Sequence, residues 1–283
     1  MKKLFLYFFL FIAGADVFGQ ANNHKDFYSH DVGLFLGASY YLGDINPRAH
    51  FDMSQPAGGV FYRFNYSPRF AFRGGFNYGN VRADDSQSEN EDQLERNLNF
   101  QSKIYEFYAK SEFNFMEYQT GSGKYFFSPY VFLGVDVFKF NPMGNLGDDN
   151  WVALRKLSTE GQKTSQNPKQ KQYKLTQIGV PFGIGFKLSV ARQMSLGFEW
   201  GPRKTFTDYI DDVSNKYVDP GKLAAEKGAT AGIMSNRTEN ATAYLSNTGK
   251  LRGNPNTKDW FFYYGLTLSL KLKQKPKECR SHR

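Results

Sequence analysis

Gln177-Ile178-Gly179-Val180-Pro181-Phe182-Gly183-Ile184-Gly185-Phe186-Lys187-Leu188-Ser189 is the stretch that decides the fold. Its large apolar side chains, Ile178, Val180, Phe182, Ile184, Phe186 and Leu188, fall on every second position. Between them stand Gln177, Gly179, Gly183, Gly185, Lys187 and Ser189. A period of two marks an extended strand with one apolar face and one small or polar face. Wound into a helix, the same residues would scatter their apolar groups around the whole circumference.

Outward from this segment the alternation recurs, giving eight runs: 32–42, 58–66, 70–81, 100–115, 125–140, 173–190, 194–206 and 259–272. Most are longer than strands of ordinary globular proteins. They suit tilted strands that cross a bilayer in about 9–11 residues and continue beyond it. In the last run Trp260, Phe262, Tyr264, Leu266, Leu268 and Leu270 oppose Gly265, Thr267, Ser269 and Lys271. In the first, Val32, Leu34, Leu36 and Tyr40 oppose Gly33, Gly37 and Ser39. Trp200, Trp260 and Tyr264 are candidates for an aromatic girdle.

The links alternate in length. Short ones contain Ser67-Pro68, Gly121 with Gly123, and 191–193; long ones span 43–57, 82–99, 141–172 and 207–258. This predicts an all-β, eight-stranded antiparallel transmembrane β-barrel over 20–272, with short periplasmic turns, long extracellular loops and both termini in the periplasm. Periodicity alone does not separate inside from outside. A soluble barrel of the lipocalin type would put the apolar face inward.

In the membrane arrangement the polar face collects Arg63, Arg73, Lys110, Lys187 and Arg203, with Glu106, Glu112, Asp136 and Glu199. Five positive and four negative charges in a narrow barrel predict an internal salt-bridge network and a closed lumen, because eight strands enclose just enough room for side chains.

Composition agrees with this assignment. Phe 28 and Tyr 18 raise the aromatic share to 17%, although the mean hydropathy is −0.57. A barrel with a polar inside and an apolar outside averages in this way. At the start, Lys2 and Lys3 precede an apolar run over 4–15, then Val17 and Gly19, which reads as a signal peptide over 1–19. Twelve apolar residues are too few for a spanning helix. The single Cys279 excludes an internal disulfide and a thiolate metal cluster. Net charge is +9, much of it in a basic C-terminal tail over 273–283; in an exported chain this points to acidic lipid, peptidoglycan or protein, with no nucleic acid as partner.

No catalytic set emerges. His24 and His30 precede the first strand, His50 lies in the first loop and His282 in the tail, and none joins a nucleophile motif. Gly183 and Gly185 have neither the third glycine nor the following helix of a phosphate loop. The acidic stretch from Asp84 to Glu95 reads as a solvated loop. Asp208, Asp211 and Asp212 follow Thr207, a plausible N-cap, so a short helix at the rim is expected; a cation site is the alternative. No cofactor or metal is expected.

Four segments resemble one family: Tyr40-Tyr41-Leu42-Gly43-Asp44-Ile45-Asn46; Arg96-Asn97-Leu98-Asn99-Phe100; Thr205-Phe206-Thr207-Asp208-Tyr209-Ile210-Asp211-Asp212-Val213-Ser214; and Arg252-Gly253-Asn254 with Asp259-Trp260. Together, and in this order, they resemble the Bacteroidetes outer-membrane barrel family that includes the PorG component of the type IX secretion system. The resemblance implies a barrel in a protein export machine, tied to gliding motility, and associated with a periplasmic ring of a lipoprotein and its partner. It implies no catalytic residues. Thr207, Asp208, Tyr209, Asp211 and Asp212 form its most specific segment. The basic tail past the last strand departs from barrels that end on an aromatic. The function expected is therefore a non-enzymatic anchor of secretion machinery in the outer membrane; the alternatives are a small channel or ligand-binding barrel, and a lipid-directed enzyme.

Overall fold

The computed structural model describes residues 28–273; the signal-peptide segment, Cys279 and the tail beyond Lys273 lie outside the described residues. Eight long strands form the wall: β1 (Ser29–Leu42), β2 (Gln55–Asn65), β3 (Phe70–Asp84), β4 (Asn99–Asn114), β5 (Phe127–Lys139), β8 (Thr176–Ser189), β9 (Met194–Thr205) and β10 (Trp260–Lys271). Each pairs antiparallel with its neighbours in the order β3-β2-β1-β10-β9-β8-β5-β4, and a β3–β4 pairing closes the ring. Closure removes every exposed strand edge, which a wall in hydrocarbon requires. Where the first and last strands meet, Gly37 lies opposite Gly265, and a Cβ on Gly37 would fall 2.1 Å from the Tyr264 carbonyl oxygen.

The two faces settle inside from outside. Leu266 is 60% exposed, Ile184 58%, Phe107 65% and Val135 65%, whereas Glu112 and Arg203 are 0% exposed. An apolar surface runs round the wall through Leu34, Val60, Phe107, Val135, Ile178 and Leu268. Greasy outside and charged inside is the reverse of a soluble barrel, and only lipid makes such an exterior favourable. The fold is an eight-stranded antiparallel transmembrane barrel.

Aromatic rings gather at both ends of this belt. Phe70 packs on Phe113 and Phe113 on Phe115 near the short turns. Near the long loops Tyr78 faces Tyr105 at 5.2 Å, and Trp260 meets Phe182. Trp260 opens β10 at the loop end, whereas Trp200 and Tyr264, paired across β9 and β10, lie nearer mid-strand. Tyr40 and Phe262, expected to face lipid, are instead covered. Their rings stack at 4.4 Å, and the first loop folds back so that His50 and Phe51 lie against them. Trp200 donates its indole N–H to the Tyr40 hydroxyl at 3.1 Å.

Several boundaries differ from the sequence expectation. His30 lies within β1 rather than before it. The run expected to begin at Tyr173 becomes a strand only at Thr176, because the Tyr173 ring stacks on Tyr209 at 4.6 Å among the loops. The link over 141–172 contains β6 (Pro142–Asn145), β7 (Trp151–Ala153) and a turn of helix, α2 (Leu154–Leu157). In the acidic loop after β3, α1 (Glu91–Arg96) is capped by the Asn90 side chain, carries acids in its first turn and ends on left-handed Asn97. No helix follows Thr207; the strained αL residue Asp212 (φ 66°) interrupts that stretch. The helices come later, as α3 (Pro220–Lys227, capped by Asp219), α4 (Ala229–Ser235) and α5 (Ala241–Ser246).

Candidate functional site

Two buried polar assemblies follow from this wall. The first fills the barrel. Because alternate residues of β2, β3, β4, β5, β8 and β9 point inward, Arg63, Arg73, Glu106, Lys110, Glu112, Asp136, Lys187, Glu199 and Arg203 all lie buried inside. Glu112 is the centre, ion-paired with Arg63 at 3.0 Å and Arg73 at 2.9 Å and accepting a hydrogen bond from Lys187 at 2.6 Å. Glu199 takes Lys110 at 2.5 Å, a short bond from Arg73, and the Tyr130 hydroxyl at 2.8 Å. Arg203 pairs with Glu106 at 2.8 Å, and Glu106 also accepts from Asn77.

Asp136 alone of the nine forms no salt bridge; its carboxyl lies beside Glu106 and the Gly179 backbone. Asp31, which the sequence pattern left out, reaches Arg63 at 3.7 Å and so balances the interior at five against five. Rings close the remaining gaps. Lys110 lies 3.8 Å from the Phe132 centroid and Lys187 4.4 Å from that of Tyr130. The interior gap bounded by Phe35, Arg73, Tyr108, Glu199, Arg203 and Tyr263 has no room for a water molecule.

The second assembly is a plug at the loop end. Arg96 donates to the carbonyls of Asp44 at 2.9 Å and Arg252 at 3.0 Å while pairing with Asp85 at 2.7 Å. Arg252 in turn donates to the Asp212 carbonyl at 2.6 Å and lies 3.5 Å from Glu160. Asp259 accepts the Ile210 N–H at 2.8 Å. The four segments carrying the family resemblance, distant in sequence, are thus tied into one body. Asp212 accepts from the Tyr173 hydroxyl at 2.6 Å and, closely, from Thr159. Asp208 accepts from the Ser214 hydroxyl at 2.7 Å; the Tyr209 hydroxyl donates to Glu160. Thr207 uses its carbonyl, not a capping side chain, to hold the Asp259 N–H at 3.1 Å.

Burial perturbs these acids. It pushes Asp44 up to about 6 against the Asn254 N–H, and Asp212 up to about 6 against the nearby Arg252 charge. Asp211 and Asp259 go well above the usual carboxylate range, again through burial first, with neighbouring carboxylates adding to it. Among the described residues no group of three His, Cys, Asp or Glu is arranged to hold a metal ion. Asp208, Asp211 and Asp212 spend their oxygens on separate hydroxyl and N–H donors. Glu160, Arg252, Tyr41 and Asp259 complete the plug; Tyr41, Arg252 and Asp259 stand in the segments that carry the family resemblance, whereas Glu160 lies in a loop with no periodicity to mark it.

The family model described as a domain of unknown function, DUF6089, matches residues 2–223. No curated protein matches the chain in sequence. Among solved structures, the major outer membrane protein of Thermus thermophilus shares 11% identity at TM-score 0.40, covering 86% of this chain and 100% of that one. The attachment invasion locus protein Ail of Yersinia pestis shares 9% at TM-score 0.38, with 86% and 99% covered. The outer membrane protein OprG of Pseudomonas aeruginosa shares 11% at TM-score 0.36, with 87% and 97% covered. These likenesses are loose, and the fold described above rests on the chain's own strand pairing.

Proposed function

The chain belongs to the DUF6089 family, and on that premise we propose that it is a non-enzymatic outer-membrane barrel of the type IX protein secretion and gliding machinery of Bacteroidetes, anchoring a periplasmic ring complex to the outer membrane. The observation that carries the proposal is the filled lumen: with no space for water beside Arg73, Glu199 and Arg203, the barrel offers its wall and its two ends as working surfaces. A channel would need that interior open. The resemblance supports the finer assignment, since its four segments build one plug instead of lying scattered over the surface.

In this proposal both termini and the short turns face the periplasm. The short-turn end, with the basic tail over 273–283, then meets the ring lipoprotein and its partner, and the loop plug seals the outer side. Deleting the gene and comparing secreted proteins tests the role, alongside recovery of ring proteins with the tagged barrel from membranes. Loss of secreted cargo and co-recovery of the ring are expected. Unchanged secretion with the barrel recovered alone would contradict the proposal. Planar-bilayer recordings should show no steady conductance; a stable conducting state would favour a channel.

A further inference from the structure

The wall has a notch at the loop end. β4 pairs with β5 only as far as Tyr105 opposite Lys139, and then with β6 through Ser102 opposite Pro142 and Gln101 opposite Met143. At this change of partner a groove of about 360 Å³ opens, lined by Asn80, Gln101, Lys103, Tyr105, Lys139 and Met143 among others. From these features we infer a binding seat for a phosphorylated lipid headgroup at the loop-end rim of the barrel.

Three observations support it. First, Lys103 and Lys139 stand on one outward face as diagonal neighbours across the β4–β5 pair, roughly 7–8 Å apart along the sheet. Neither is in an ion pair among the described residues, so both ammonium groups are available to one phosphate. Second, a donor at the edge lacks a partner: Nε of Arg82, which lies opposite Gln101, is buried without a hydrogen bond. Arg82 otherwise rests over the Trp151 ring at 5.7 Å and 4.0 Å from Asp84.

Third, the groove is continuous with the lipid-facing belt. Tyr105 belongs to the loop-end aromatics, and Phe107, the next residue on that face, is exposed to the bilayer. Acyl chains can therefore lie on Phe107 and Val137 while a phosphate sits between the lysines. Free phosphate would use the upper half alone, so the occupant assigned is the lipid.

The seat rests on the membrane assignment and not on the secretion role. Native mass spectrometry of the detergent-purified full chain, given equal phosphatidic acid and phosphatidylcholine, reads it directly. Two lysines at a membrane surface predict a preference for phosphatidic acid of at least about tenfold. The K103Q/K139Q variant should lose that preference, K103R/K139R should keep it, and K222Q, on an exposed helix, should leave it unchanged. Heat-shifted gel migration establishes that each variant is folded. A folded K103Q/K139Q protein with full preference would overturn the inference. So would inorganic phosphate alone binding with the same dependence on the two lysines, which would mark an anion seat with no lipid specificity. Failure of the membrane assignment looks different: the chain would remain in solution without detergent.

Discussion

Tyr41, at the loop end of β1, places its phenolic oxygen 2.6 Å from Oδ2 of Asp211, 170 residues further along the chain. The same oxygen is 2.8 Å from Oδ1 of Asp259, and all three side chains are buried. One hydroxyl has one proton to donate. Two charged carboxylates cannot both be satisfied by it, so one carboxyl of the pair keeps a proton of its own. This arrangement joins the barrel wall to the loop plug.

Tyr41→Phe removes the shared donor and leaves both acids facing an apolar ring. An unsatisfied buried polar group costs about 1–3 kcal/mol, more when charged. The plug should loosen while the barrel stays closed: limited proteolysis in the 154–173 and 208–219 segments should accelerate with heat-shifted migration retained. Asp211→Asn should be milder, because an amide can serve as the second donor. Equal protease resistance in Tyr41→Phe and the unaltered chain would contradict this account of the plug.

The raised acids also set a pH dependence. An acid whose folded pKa lies above its unfolded value of about 4 favours the folded state most at low pH. That contribution is present below about pH 4 and declines as pH rises through the folded value, near 6 for Asp44 and Asp212. For fully buried Asp212 a shift of about two units corresponds to about 3 kcal/mol. Hydrogen exchange in 206–219 should therefore be slowest near pH 4 to 5 and speed up, after correction for intrinsic rates, toward pH 7. Protection that increases across that window would show that these carboxyls are better solvated than described.

Inside the wall, Glu112→Ala would leave Arg63, Arg73 and Lys187 together without their common partner. Breaking a buried ion pair from one side costs about 3–5 kcal/mol, far more than the intact pair adds. The urea midpoint in detergent micelles should fall accordingly. A change under about 1 kcal/mol would mean that water reaches the interior and screens the three cations.

The strand residues made the wall legible from sequence, and the loops did not. Ile184 and Lys187 sit three apart in one strand, so the period of two alone sends them to opposite faces. Asp31 lies one residue before Val32, where the alternation of the first run begins, so the periodicity does not reach it. In the loops, Glu160 gathers the N–H groups of Ser214 and Asn215, more than fifty residues away. Contacts of that kind follow from where the barrel places the loop roots, and no local pattern encodes them. Thr207 illustrates the same limit. Its neighbours look like a helix start, but Asp211 accepts from Tyr41 and Asp212 from Tyr173 and Thr159, all outside their own segment, which holds the backbone open. The four segments that carried the family resemblance were visible in sequence; their convergence was not.

The assignment of the apolar face to lipid is tested most directly by Leu266→Arg. Leu266 is 60% exposed near the middle of β10, with Leu268 and Leu270 on the same face. Folding free energy in lipid vesicles should drop by about 2–4 kcal/mol, the cost of an arginine at the bilayer midplane. A variant that folds as stably as the parent would contradict a lipid-facing wall, since arginine on a surface meeting water costs almost nothing.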